Sequence, residues 1–182
     1  QIFEKTYGPV KRDLRTAMDS AKSKEAAKKL KTDYISNGPE YLLVDGYNII
    51  FAWDELKELA KDNLDAARQR LINIMCNYQG VRQCNLILVF DAYKVKGNVG
   101  EIEKYHNITI VYTKEAETAD MYIEKTTNQL GKDYRVRVAT SDGLEQLIIL
   151  AHGALRVSAS EFKYEVDAVE NAIREFITEQ NT

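Results

Sequence analysis

Residues that hold structural metals or form disulfide frameworks are scarce, with two cysteines and two histidines in 182 residues. Cys76 falls in a helical pattern and Cys84 just before a strand, without metal-like spacing, so both read as reduced, partly buried thiols. His106 and His152 do not complete a structural zinc site with them. Long apolar runs are missing as well. No stretch approaches the ~18–20 residues that span a bilayer, and no signal-peptide pattern opens the chain, which together predict a cytoplasmic protein. Repeats and low-complexity tracts are absent. The chain starts at Gln1 rather than Met, from which we expect a fragment of something longer.

What is present is ordinary for a globular domain: 45% hydrophobic and 29% charged residues, in a length that fits one domain with an appendage. The net charge of −3 is unevenly spread. Residues 1–39 carry nine Lys/Arg against five Asp/Glu, net +4, and residues 40–182 carry 16 against 23, net −7. An acidic body is a poor plain phosphate-binding surface, since phosphate contacts want Lys and Arg. It suits a body that gathers carboxylates around a divalent cation. The basic leader reads either as a source of phosphate affinity or as a Lys-rich solvated helix.

Residues 10–35 have the pattern of a helix with a thin apolar stripe, and Ser36-Asn37-Gly38-Pro39 breaks it, dividing the chain into a leader (1–39) and a main domain (40–182). The opening QIFEKTYGP reads as the end of a preceding element. Beyond Pro39 the spacing predicts strands over 41–44, 85–90, 108–112, 135–139 and 155–157. Helical spacing links Leu64 to Tyr78, Ala119 to Leu130, Leu144 to Ala151 and Phe162 to Phe176. Ser158-Ala-Ser-Glu161 is a capping box opening the last helix. Apolar strands bracketed by amphipathic helices predict an α/β fold of three α/β/α layers around a mostly parallel sheet, preceded by an N-terminal helical extension. Segment 94–100, with two glycines, reads as a mobile loop.

In such a sheet, ligands bind outside the carboxyl ends of the strands. The first strand, YLLVD, ends on Asp45, and NLILVFDAY ends on Asp91. ITIVYTKEAETAD leaves through Glu115 and Glu117 into a helix at Thr118-Ala119-Asp120, and RVRVATSDG ends at Ser141-Asp142. Four strands thus bring an Asp to one edge. Two unit charges ~4 Å apart repel by roughly 4 kcal/mol at an effective dielectric of ~20, so either protons or a cation must compensate. Hard oxygen donors without imidazole or thiolate select Mg²⁺ or Mn²⁺, and such an ion suits phosphodiester chemistry by activating water and stabilising the leaving oxygen.

Each Asp also has a plain structural reading. Asp45 before Gly46 starts a turn, Asp91 ends a strand, Asp120 suits a helix first turn, and Asp142-x-x-Glu145 is a capping box. Asn48 sits where a turn or cap also favours Asn, and N-cap duty explains Ser141 and Thr118. The weight lies in the recurrence at one edge.

VDGYN (44–48), VFDAY (89–93), YTKEAETADMYIE (112–124) and VATSDGLEQ (138–146), in that order, resemble the motif blocks of NYN domains, most closely the YacP-like branch related to PIN nucleases. The resemblance covers roughly residues 40–178. It implies a PIN-like fold and metal-dependent endoribonuclease activity, in some members tied to the ribosome and translated mRNA. Carried over by position, the acidic, metal-holding set is Asp45, Asp91, Asp120 and Asp142, with Asn48 and Ser141 as supporting polar groups. Glu117 lies in the same blocks without a defined role, and Tyr93 stands where many relatives have His. QIFEKTYGPVKRD resembles the end of translation-factor-like ribosomal protection proteins that confer tetracycline resistance, which implies a preceding GTPase-type domain.

The reading is therefore a Mg²⁺- or Mn²⁺-dependent endoribonuclease. Asp45, Asp91 and Asp120 hold the metal directly or through water, Asp142 completes the cluster, and Asn48 and Ser141 orient waters or phosphate oxygens. Arg68, Lys94 and Lys96 are candidates for RNA phosphate contacts, and Tyr47 and Tyr93 for base stacking. Arg68 reads equally as an ion-pair partner, and the tyrosines as core residues. The rivals are a non-catalytic RNA- or ribosome-binding module, and another metal-dependent phosphoester hydrolase.

Overall fold

Tyr41-Leu-Leu-Val44 lies within strand β1 (Glu40–Asp45), whose residues from Leu42 onward are all buried. A continuous apolar run is what a central strand covered on both faces requires. The computed structural model describes residues 40–95, 97–141 and 153–181, all within one unit, Glu40–Thr182. The helix expected over 10–35, the helical pattern over 144–151, Lys96 and Asp142 lie outside the described residues.

Helices α1 (Gly46–Ala52), α2 (Asp54–Asp62) and α3 (Leu64–Arg82) follow β1 and lead to β2 (Asn85–Phe90). A short 3₁₀ turn (Ala92–Lys94) precedes β3 (Ile102–Tyr105) and β4 (Ile108–Tyr112). Helix α4 (Ala119–Leu130), β5 (Arg135–Ala139), β6 (Leu155–Val157) and α5 (Ala159–Gln180) complete the described order. Strands over 85–90, 108–112, 135–139 and 155–157 fall where the apolar spacing predicts them. The mixed sheet has the order β3-β4-β2-β1-β5-β6, parallel throughout except for the β3/β4 pair.

Three elements were not anticipated. Residues 46–62 form two helices separated only by Trp53, and β3 is an antiparallel edge strand, so the link from β2 to β4 is not a helical crossover. Local chemistry accounts for the helices. Asp45 caps α1, and Asn63 caps α3 by accepting from the Ala66 amide at 3.1 Å. Asp54 and Glu55 in the first turn of α2, and Lys61 in its last, complement the helix dipole. Gln83 ends α3 in the left-handed conformation (φ 61°). The expected capping box of α5 is present: Ser158 Oγ accepts from the Glu161 amide and Glu161 Oε1 from the Ser158 amide, both at 3.1 Å.

Two cores flank the sheet. One packs Leu42, Val44, Leu88, Phe90 and Ile110 against α1–α3 and α5, through residues such as Ile50, Leu71, Met75 and Phe162. The other packs Leu43, Val89, Val111 and Val138 against Ala119 and Ile123 of α4. Successive strand residues thus face opposite layers. No helix among the described residues is long and apolar enough to cross a membrane. Cys76 and Cys84 are both free thiols, and burial pushes Cys84 up to about 11, keeping it inert.

Topology prepares a ligand site. From β1 the chain builds outward through β2 and β4 on one side, then returns to lay β5 and β6 on the other. Strands β1 and β5 are therefore neighbours whose connections lead apart, which opens a crevice beyond their carboxyl ends.

Candidate active site

A cleft of about 420 Å³ occupies that position, and Asp45, Asp91 and Asp120 all line it, with Asn48, Thr118, Ser141 and Lys94. The three carboxylates come from the ends of β1 and β2 and from the first turn of α4, which follows β4. Each also does a local structural job, Asp45 and Asp91 as caps rather than as the turn start and strand end expected of them. Asp45 accepts from the Asn48 amide at 3.4 Å, and Asp91 accepts from the Tyr93 amide at 3.0 Å. Asp120 sits in the first turn of α4, where Thr118 Oγ caps the Met121 amide at 3.2 Å. Helix geometry thus aims these side chains, so the structural and chemical readings of each Asp coexist.

Gly46 is needed for a reason other than a turn. It is helical, and a Cβ there would lie 2.4 Å from Phe90 Cε1 and 3.0 Å from the Val89 carbonyl oxygen. Only a bare backbone lets α1 begin this close to β2, and that contact holds the ends of β1 and β2 together.

Asn48 reaches across the crevice. Its Oδ1 accepts from the Ser141 amide at 2.5 Å and from Ser141 Oγ at 2.7 Å. Because a backbone N–H can only donate, the amide orientation is fixed, and Asn48 Nδ2 is left as a donor. The pair fastens α1 to the end of β5, one residue before Asp142. Asp142 itself lies outside the described residues.

Lys94 carries the only positive charge among the described residues that line the cleft. Its Nζ stands 5.1 Å from the ring centroids of both Tyr47 and Phe51, a cation–π arrangement that holds the ammonium at the wall. Tyr47 is buried, stacks on Phe51 and meets Phe90 edge-on, so little of its ring is open to a base. Burial raises the Tyr47 phenol above its usual value despite the hydrogen bond from Arg68, so it remains protonated. Arg68 donates to Tyr47 Oη at 2.9 Å and pairs with Asp65, and it does not line the cleft. Lys96 lies outside the described residues. Tyr93 is 96% exposed and lines a neighbouring pocket instead.

Glu117 now has a structural role. Its carboxylate accepts from the Lys114 amide at 3.2 Å and pairs with Lys125 at 3.0 Å, closing the loop that leads into α4. Burial pushes its carboxyl up, but the bonds from Lys125 and Lys114 outweigh that and leave it lowered. Phe51 and Ala52 complete one wall of the cleft and were not singled out from the sequence. Once α1 is recognised, the spacing from Tyr47 to Phe51 and from Asn48 to Ala52 places them there.

The donors here are hard oxygens, with neither imidazole nor thiolate among the described lining residues, which matches Mg²⁺ or Mn²⁺ rather than zinc. Among the described residues, no three His, Cys, Asp or Glu side chains are gathered tightly enough to hold a metal ion as they stand. Mg²⁺ keeps several waters and takes only one or two carboxylates, so the donor chemistry of this cleft fits it.

The YacP-like NYN domain family matches residues 42–182. The uncharacterized protein YacP of Bacillus subtilis (strain 168) is 44% identical over 135 residues, covering 74% of this chain and 79% of that protein. Two crystal structures of Rae1 (YacP) from Bacillus subtilis are also similar. One, of a mutant form, matches with a TM-score of 0.69 and 39% identity over 78% of this chain and 84% of its own. The other matches with a TM-score of 0.68 and 42% identity over 76% and 80%.

Proposed function

This chain belongs to the YacP-like NYN domain family, a nuclease lineage, and from that premise we propose that it is an endoribonuclease that hydrolyses RNA phosphodiester bonds with a divalent cation. The observation that carries the reading is the meeting of Asp45, Asp91 and Asp120 in one cleft at the topological switch point. Asp45, Asp91 and Asp120 would hold Mg²⁺ or Mn²⁺ directly or through its waters, with Asp142 as the fourth carboxylate. When bound, such an ion supplies charge neutralisation for the carboxylates and a more acidic water for attack on phosphorus.

The chain's own groups do the rest. Lys94, held against the two rings, binds a non-bridging phosphate oxygen. Asn48 Nδ2 donates to a second one, while its Oδ1 holds Ser141 at the end of β5. Ser141 is accordingly a positioning residue. Arg68 supports Tyr47, and through it the ring wall beneath Lys94. Water attacks phosphorus in line, one P–O bond breaks, and a linear phosphate and a free hydroxyl result. Water being the nucleophile, the 2′-hydroxyl takes no part in this step. A cytoplasmic setting belongs to the same proposal, as do ribosome-associated or translated mRNA as substrate and a preceding GTPase-type domain, these last resting on sequence resemblance.

A second reading, a non-catalytic RNA-binding module, draws on the spread of the three carboxylates. Cleavage of a single-stranded RNA by the purified chain decides between them. We expect cleavage in Mg²⁺ or Mn²⁺, none in EDTA, and linear phosphate ends even with a deoxyribose at the cut position. Undiminished cleavage in EDTA, or 2′,3′-cyclic ends, would sink the mechanism.

A further inference from the structure

Beside the acidic cleft lies a second pocket of about 600 Å³, and the two share Asp91 and Thr118 as a common wall. Its other sides are the 3₁₀ turn at Ala92 and Tyr93, Val99, and the loop from Lys114 to Glu117. We infer that this pocket receives a nucleobase of the RNA strand next to the phosphate held in the acidic cleft, with Tyr93 as the stacking surface. The inference rests on the nuclease reading and goes beyond it by assigning a separate base subsite.

Three observations carry it. First, the pocket offers apolar surface where a soluble domain gains nothing by it. Tyr93 is 96% exposed and Val99 51% exposed. An aromatic ring on such a turn is free to take a base on its face, which is worth ~1–3 kcal/mol in single-strand binding. Second, the charge is wrong for a phosphate. Asp91, Glu115 and Glu117 line the pocket against Lys114, with Lys125 engaged by Glu117, so a neutral flat ring is the part of a nucleotide that fits.

Third, the walls are fixed. The Lys114–Glu117 turn is closed by the Glu117 amide donating to the Lys114 carbonyl at 3.0 Å, and by the Glu117 carboxylate returning to the Lys114 amide. It holds Ala116 in the left-handed region at φ 66°, a conformation that non-glycine residues adopt only where their surroundings impose it. Opposite, the buried Ala92 amide donates to Thr113 Oγ at 3.0 Å and Asp91 caps the Tyr93 amide, so the turn presenting Tyr93 is tied to the strand ends that carry the acidic site. Continuity with the cleft and rigidity of both walls distinguish this pocket from a casual surface hollow.

The test uses the full chain carrying Asp45→Asn, which halts hydrolysis under the nuclease reading and leaves the pocket lining untouched. Binding of a short fluorescent single-stranded RNA in Mg²⁺ is measured while each nucleotide in turn is made abasic. Tyr93, being exposed, can be changed without threatening the fold. We expect Tyr93→Ala to weaken binding about 5- to 150-fold and Tyr93→Phe to restore it. One abasic position should reproduce the loss with Tyr93 or Phe present and add nothing in the Ala variant. Unchanged affinity in Tyr93→Ala, losses that multiply at every position, or no RNA binding at all would overturn the subsite. Cleavage by the otherwise unaltered chain is scored separately. Cleavage without Tyr93 dependence removes the subsite alone, and Tyr93-dependent binding without cleavage removes the nuclease reading alone.

Discussion

Gly46 shows how closely one residue ties the fold to the site. An added Cβ would meet the ring of Phe90, which is fully buried and packed between Tyr47 and Tyr112, so the ring has nowhere to go. Gly46→Ala should therefore destabilise the domain by about 1–3 kcal/mol or more, the usual cost of overpacking a core, in denaturant titration. A stability within error of the unchanged chain would mean that α1 can slide away from β2 at no cost. At the same scale, Asp45 and Asp91 were legible as strand-end carboxylates with a turn start and a strand end as rival readings, while their capping of α1 and of the 3₁₀ turn was not. The two roles coexist because one oxygen accepts an amide bond while the carboxylate still lines the cleft. The exposure of Tyr93 and the burial of Tyr47 were not legible. Both follow Asp at short range, and only the identity of the next element, a 3₁₀ turn or a helix, sends one ring out and the other in.

Among the elements, the strands covered on both faces were readable because burial demands an unbroken apolar run. The ones missed lack such a signal. Residues 46–52 are apolar almost throughout, so no helical period shows, and β3 has mostly exposed residues with only β4 to define it. The polar tie between α5 and the sheet was also invisible in sequence. Arg137 of β5 donates from Nη1 and Nη2 to the two carboxylate oxygens of Glu165 on α5, each at 3.0 Å, and Tyr78 of α3 donates to Glu165 at 2.8 Å. Burial alone would raise the Glu165 carboxyl, but Arg137, Tyr78 and Arg82 bring it below its ordinary value of 4.5. A carboxyl lowered by folding stabilises above its unfolded pKa, and that contribution fades as pH falls through its folded pKa. Buried Glu40, raised chiefly by burial, works with the opposite sign. Glu165→Gln should cost about 1.5–3 kcal/mol at neutral pH, typical of hydrogen bonds to charged groups. The gap to the unchanged chain should close below pH 4.5, as followed by urea titrations across pH. A gap independent of pH would show that the charge of Glu165 is not what holds α5.

Over the whole molecule, the fold places its excess of negative charge where chemistry can use it. Residues 40–182 carry a net −7, and strands converging on one edge concentrate part of it at the switch point between β1 and β5. Composition alone suggested a body built around a cation, and only topology says which carboxylates share a cleft. The central claim is that this shared edge hydrolyses RNA. Its most direct test is the single-turnover cleavage rate of Asp91→Asn at saturating Mg²⁺ or Mn²⁺. Asparagine can keep the bond to the Tyr93 amide, so the change removes a charge and little else. The account predicts a rate lower by about a hundredfold or more, in the range seen when a group that stabilises developing charge is removed, with an unaltered melting curve. A variant that melts alike and cleaves at the full rate would contradict it.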